Sequence, residues 1–409
     1  MPTSPTSAFE IFASTAPGLE SIAAGELKTL GIKGKQTVGG VEFRGDLDRI
    51  YQSNLWLRTA TRVLVRLGCF HASTFYELER RAKKIPWEDF LPASGPVSVR
   101  VTCRKSRLYH SDAVAERVLA AIARVAPASV ELEKAASSSD SDTDAEETGK
   151  AAPDGDATDR SQSFRVRIVD DECEISADSS GELLHRRGYR KDVAKAPLRE
   201  TLAAAMILAS GWKRGEPLLD PMCGSGTIPI EAALIARGIA PGLRRDFQFM
   251  KWPSFDERVW NRAIEQAKNA SGDIQSIRGA DRDAGAIEAA TRNAERAGVA
   301  DNILFSTASL SESMASLEEI GEGTGWVLTN PPYGIRVGDS DELRNLYARL
   351  GSALRSTNGW RLGVLSADPV LARHSQVSLK SRFSTSNGGI PVSFMVSDKR
   401  ETRPSSIDE

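Results

Sequence analysis

The chain is poor in the residues from which metal sites and disulfide frameworks are built. Its 409 residues include four cysteines and four histidines. Cys69, Cys103, Cys173 and Cys223 stand far apart with no C-x-x-C pair, so they read as reduced thiols of a cytoplasmic protein. The histidines offer no ligand spacing either, and no metal is expected. No apolar run approaches the length of a membrane span, and the opening "MPTSPTSAFEIFAS" lacks the basic and apolar regions of an export signal. The glycine-rich stretch "DPMCGSGT" is followed by no Gly-Lys-Ser/Thr, which disfavours nucleoside triphosphates.

What is present is an ordinary globular composition, 40% hydrophobic and 26% charged, long enough for two or three domains. The net charge of −2 is unevenly spread. Residues 135–163 carry eight acids and two bases, hence −6, which leaves +4 on the remainder. That stretch is rich in Ser, Ala and Asp with no apolar pattern, so a disordered acidic insertion is expected over 134–163. Residues 1–7 and 398–409 are expected to be disordered tails.

Before the insertion, short alternating strands such as "GGVEFRGD" and "PVSVRVTCR" are interleaved with amphipathic helices such as "PGLESIAAGELKTLG". This is an α+β region, read as two small sheets with helices on one face, divided at about residue 66 and ending near 180. From about 198 longer β–α alternation predicts a parallel, doubly wound sheet with an antiparallel edge. Ligands of such sheets bind outside the carboxyl ends of the strands.

Three strand ends there are suited to a ligand. The first runs into the turn with Asp220, Met222, Cys223, Gly224, Gly226 and Thr227. Its glycines let the backbone approach a bound molecule, and a helix opens behind them. The second ends in "GADRD", where Asp281 can grip a ribose diol and Asp283 can cap the next helix; for Asp281 capping stays equally open. The fourth ends in "LTNPPYG". Asn330 and the Pro331 carbonyl can accept hydrogen bonds, the rigid Pro331–Pro332 turn holds them, and Tyr333 can stack on a planar ring. Two acceptors beside an aromatic suit an exocyclic amine.

"LLDPMCGSGT", "GADRD" and "LTNPPYG" together resemble the class I S-adenosylmethionine-dependent methyltransferases that act on amino groups. The flanking "LHRRGYRKDVAKAPLRETLAAAMILASGW", "IARGIAPGLRRDF" and "KWPSFD" are similar to the bacterial 23S rRNA guanine-N2 methyltransferases. The resemblance implies a ferredoxin-like domain over 8–66, a THUMP-like RNA-binding domain over 67–180 and a methyltransferase domain over 181–397. It also implies S-adenosylmethionine as cofactor and RNA, 23S rRNA or a large-subunit precursor, as partner. Where many relatives carry an Asp for the adenine amino group, this chain has Ser309.

RNA contacts are expected at Arg104, Lys105 and Arg107, at Arg186, Arg187, Arg190 and Lys191, and at Arg244 and Arg245. These basic clusters are interleaved with aromatics. The aromatics Phe247, Phe249 and Trp252 suit either stacking on RNA or packing of their own segment, with packing favoured. Two rival readings stand beside methylation of guanine: an adenine-N6 or protein-glutamine methyltransferase, and a non-catalytic RNA-binding protein.

Overall fold

The computed structural model describes residues 8–134, 161–192, 198–268, 276–317, 324–333, 340–357 and 359–398. The expected N-terminal tail, the tail beyond Asp398 and residues 135–160 of the insertion lie outside these. The insertion is narrower than the sequence suggested: Lys134 ends a strand, and Gln162 and Ser163 begin another, with Gln162 fully buried. Asp398 is likewise held, pairing with Lys380 at 3.0 Å.

Contacts divide the chain into two compact units, 1–186 with 241–268 and 187–240 with 269–409. The front unit is built on β1 (Phe9–Thr15), β2 (Gly34–Thr37), β3 (Gly40–Gly45), β4 (Ala60–His71), β5 (Gly95–Arg104), β6 (Val130–Lys134), β7 (Gln162–Val169) and β8 (Glu172–Asp178). These form one sheet, in the order β2-β3-β1-β4-β8-β7-β5-β6, where two were expected. The long β4 is the reason. Arg66 faces Glu10 of β1 on one side and Ser176 of β8 on the other, so the boundary expected at 66 falls in mid-strand.

Period-two alternation decides which face is core. Val97, Val99 and Val101 of β5 and Phe164, Val166 and Ile168 of β7 are buried. Leu27, Ile50, Leu78 and Val118, from four helices, join them in one cluster. Asp46 caps the helix Leu47–Trp56, and Thr74 with Glu77 forms a capping box on Phe75–Ala82.

Residues 241–268, placed by sequence inside the second half, group with this front unit. Their aromatics pack rather than face solvent. Phe249 stacks on Tyr51 at 4.5 Å between centroids, and Trp252 meets Phe90 edge-on while its Nε1–H donates to Gln162 Oε1 at 2.6 Å.

The second unit holds β9 (Leu218–Asp220), β10 (Ile277–Asp281), β11 (Ile303–Thr307), β12 (Gly325–Thr329), β13 (Trp360–Ser366), β14 (Leu379–Asn387) and β15 (Ile390–Ser397). The order is β11-β10-β9-β12-β13-β15-β14, parallel through β13 and antiparallel at β15 and β14, as the alternation predicts. β12 is buried along its whole length, the signature of a strand covered on both faces. The helix Thr227–Ala236 is buried at every position, in keeping with a sequence apolar but for Thr227 and Glu231.

Phe249→Ala is expected to destabilise the front unit by about 3–5 kcal/mol through loss of a fully buried ring. Denaturant unfolding of the variant checks this, and a loss below about 1 kcal/mol would place the ring outside the core.

Candidate active site

β10, β9 and β12 are neighbours and run parallel, so their carboxyl ends lie along one edge. Asp281, Asp220 and Asn330 stand at those ends. The turn after β9 is fastened to β10 by two bonds. The Cys223 amide donates to the Ala280 carbonyl at 2.9 Å, and the Gly224 amide donates to Asp281 Oδ2 at 2.9 Å. The other oxygen of Asp281 accepts from the Asp283 amide at 3.0 Å, while Asp283 itself caps the helix Ala284–Ala297. Asp283 is thus the cap of that helix, and Asp281 anchors the turn.

Both glycines of the turn have left-handed backbone, at φ 53° for Gly224 and 83° for Gly226. They differ in surroundings. A Cβ on Gly226 would lie 2.9 Å from Ala290 Cβ, so Gly226 serves helix packing. A Cβ on Gly224 would meet nothing within 4 Å, leaving its backbone open to a ligand. Thr227 starts the following helix and is buried, and Met222 is half-buried against the apolar cluster around Tyr347.

Asp220 is 2% exposed and accepts the Met222 amide at 3.2 Å. Burial pushes its carboxyl up to about 7, against the pull of the Thr329 hydroxyl and the Met222 amide and with the Asp281 charge adding to the rise. Burial, with the nearby Asp220 and Asp281 carboxylates, also raises the Cys223 thiol well above its ordinary value. A thiol held protonated is no nucleophile. Ser309 caps the helix Leu310–Ala315 in a capping box with Glu312, so its hydroxyl is used locally.

At the end of β12 the Tyr333 hydroxyl donates to Asn330 Oδ1 at 2.7 Å. It accepts in turn from Asn387 Nδ2 at 2.9 Å. Pro331 is buried, Pro332 exposed, and Asn330 and Tyr333 half-buried. Burial pushes the phenol up to about 12, so it remains a donor. Asn387 escaped the sequence reading. "NGG" signals a hairpin, but not that the antiparallel edge returns beside the strand-end motif.

The basic clusters divide. Lys105, Arg107, Arg186, Lys191 and Arg244 are exposed and Arg104 is half-buried. Arg107 lies 3.8 Å from Asp171. Three others are engaged within the protein, Arg187 buried and Arg190 and Arg245 half-buried, where RNA contacts were expected. Arg187 is 3% exposed and faces Glu231 at 3.5 Å, where Tyr189 also donates at 3.0 Å; a buried charge must be paired inside. Arg190 pairs with Glu200 at 3.0 Å and donates to the Leu198 carbonyl. Arg245 donates to the carbonyls of Ser180, Glu182, Leu183 and Arg186, clamping that segment. Among the described residues no group of three or more His, Cys, Asp or Glu could hold a metal ion, and no helix is long and apolar enough to cross a membrane.

Comparison with known families agrees with this geometry. The model of an RMKL-like methyltransferase domain matches residues 187–393. The chain belongs to that methyltransferase family. An RlmL ferredoxin-like domain matches 10–64 and a THUMP domain 72–136, so the second unit has the class I methyltransferase fold behind two smaller domains. A curated relative, "Ribosomal RNA large subunit methyltransferase K/L" of Syntrophotalea carbinolica, is 36% identical over 96% of this chain; the chain spans 54% of that protein's length. Two solved structures are similar over nearly their whole length. One, titled a predicted N6-adenine-specific DNA methylase from Listeria monocytogenes, has TM-score 0.79 and 33% identity, covering 95% of this chain and 96% of that one. The other, SMU.472, a putative methyltransferase complexed with SAH, has TM-score 0.80 and 29% identity, covering 97% and 99%.

A carboxyl whose folded pKa is raised contributes stability below its unfolded value and loses that contribution as pH climbs to the folded one. Asp220 does this between about 4 and 7. The melting temperature of Asp220→Asn relative to wild type is therefore expected to rise across that window and level off above it. A pH-independent difference in thermal melts would show that Asp220 is ionised throughout.

Proposed function

We propose that this chain transfers a methyl group from S-adenosylmethionine to the exocyclic N2 amine of a guanine in RNA, with 23S rRNA or a large-subunit precursor as substrate. The observation that carries it is the meeting of three features along one sheet edge: the open glycine turn, the anchored Asp281 and the Asn330–Tyr333 motif. The THUMP match in the front unit supports RNA over DNA or protein.

The residues present fit the cofactor. Gly224 offers unobstructed backbone, and Asp281 keeps a partly exposed carboxylate beside it, suited to hydroxyls of a ribose. Met222 supplies an apolar wall. When bound, S-adenosylmethionine supplies an electrophilic methyl group, and what the chain adds is placement and exclusion of water. The N2 lone pair is delocalised into the base. Asn330 Oδ1 keeps a second lone pair beyond the one Tyr333 uses, and with the Pro331 carbonyl it can accept from the amine and favour its pyramidal form. The Tyr333 ring, held at its hydroxyl by Asn330 and Asn387, presents a fixed face to a base turned out of its stack. Asn387 thus acts through Tyr333 as a positioning residue. The buried, protonated Cys223 leaves no role for covalent thiol attack.

A second reading, methylation of adenine N6, uses the same acceptors, and the likeness to the predicted N6-adenine-specific DNA methylase of Listeria monocytogenes favours it.

Asn330→Ala is expected to lower the single-turnover rate on 23S rRNA by roughly 10²–10³, with S-adenosylmethionine affinity and melting near wild type. Tyr333→Ala is expected to lose about 1–3 kcal/mol of base stacking. An Asn330→Ala protein that reacts at the wild-type rate would reduce the motif to a structural turn. Calorimetry on Asp281→Ala should show about 1.5–3 kcal/mol less cofactor affinity, and unchanged binding would confine Asp281 to anchoring the turn.

A further inference from the structure

The helix Ala284–Ala297 turns one face inward, and that face is alanine with one exception. Ala286, Ala289, Ala290, Ala294 and Ala297 are buried, and Asn293 stands among them fully enclosed. A buried amide costs free energy unless its hydrogen bonds are made, and asparagine is a weaker helix former than alanine. Packing alone would place another alanine here.

The amide of Asn293 is fully used. Its Nδ2 donates to the Ser225 carbonyl at 3.1 Å and to the Asp192 carbonyl at 3.0 Å. Its Oδ1 accepts from the Arg296 guanidinium and, at 3.4 Å, from the Asp192 amide. Two carbonyls on one side and two N–H donors on the other admit only this orientation of the amide. Ser225 belongs to the glycine turn. The ladder of the helix Thr227–Ala236 begins one residue later, where the Ile230 amide donates to the Gly226 carbonyl, and so leaves the Ser225 carbonyl to Asn293. The Gly226 amide, across the same peptide bond, donates to the Cys223 carbonyl at 2.9 Å. That peptide is thus held at both ends.

On its other side Asn293 grips the stretch with which the second unit begins, 187–192. Arg296 fastens it too, from Nε to the Tyr189 carbonyl at 2.8 Å and from Nη2 to Asp192 Oδ2 at 2.6 Å, and Arg292 reaches the same carboxylate at 3.3 Å. One side chain therefore joins the glycine turn to the point where the chain enters the second unit.

We propose that Asn293 is a positioning residue for the cofactor: it fixes the peptide behind Gly224 and makes cofactor binding and the fastening of 187–192 interdependent. A ligand that steadies the turn steadies that stretch, and by reciprocity a change that loosens the stretch weakens the ligand. This rests on the reading that the glycine turn seats the cofactor, and the experiment separates the two.

The test is calorimetric titration of the full-length protein with SAH, together with hydrogen exchange read by mass spectrometry with and without SAH. It compares wild type with Asn293→Ala, with Asp192→Asn, and with Val396→Ala, which truncates a buried side chain in β15, a strand whose neighbours are β13 and β14. In wild type SAH should slow exchange over both 222–227 and 187–192. Asn293→Ala is expected to bind SAH about tenfold more weakly, the equivalent of one hydrogen bond, and its exchange over 187–192 should no longer respond to SAH. Asp192→Asn leaves the Asn293 amide in place and weakens only the pairs with Arg292 and Arg296, so it carries the test even where Asn293→Ala fails to fold. Its SAH affinity should fall about threefold. Val396→Ala should melt below wild type yet bind SAH normally. SAH that slows exchange over 222–227 alone in wild type would overturn the proposal, as would wild-type affinity in both variants or an equal loss of affinity in Val396→Ala. SAH that slows exchange over neither stretch would defeat the reading of the turn as the cofactor's seat.

Discussion

The hydrogen bond from the Gly224 amide to Asp281 joins two strand ends, and the rest of the second unit is arranged around it. A turn leaving a parallel sheet carries amides that no ladder satisfies, and leaving them unpaired is costly. Asp281 meets that need for Gly224 and Asp283 together, while Ala280 accepts from Cys223. The glycine turn therefore sits at a height fixed by β10. Its left-handed glycines then deliver the chain into the wholly buried helix behind it. A ligand at this edge meets a backbone already in place, which lowers the entropic cost of binding.

The same accounting of polar groups explains the other strand end and the basic segment at the start of the second unit. Tyr333 has a partner at each side of its hydroxyl, so its ring is held in one orientation by hydrogen bonds as well as by packing. Arg187, Tyr189 and Arg190 meet Glu231 and Glu200 in the interior. Glu200 and Glu231 are almost wholly buried, and burial pushes Glu200 up to about 7 despite Arg190. A stretch that reads as a nucleic-acid cluster is for half of its cations an internal fastening.

Much was legible in the sequence because it was local. Period-two strands, the glycine turn, the capping acid and the proline-rich strand end are all written in neighbouring residues. The β–α alternation predicted the parallel sheet with its antiparallel edge. What escaped depended on distant pairing. The single front sheet arises because β4 has partners on both sides, which its own residues do not announce. The return of 241–268 to the front unit and the contact of Asn387 with Tyr333 both follow from topology. Arginines present the sharpest case: Arg44 and Arg187 are alike in sequence, and only their neighbours decide that one is paired on the surface and the other buried.

The central claim, that the motif at the end of β12 works on a guanine amine in RNA, is tested most directly by the identity of the modified nucleoside. Unmodified 23S rRNA would be incubated with the protein and methyl-labelled S-adenosylmethionine, digested to nucleosides and resolved by mass spectrometry. The label should appear as N2-methylguanosine. Label in N6-methyladenosine, or in protein or DNA offered in parallel but not in rRNA, would contradict the account.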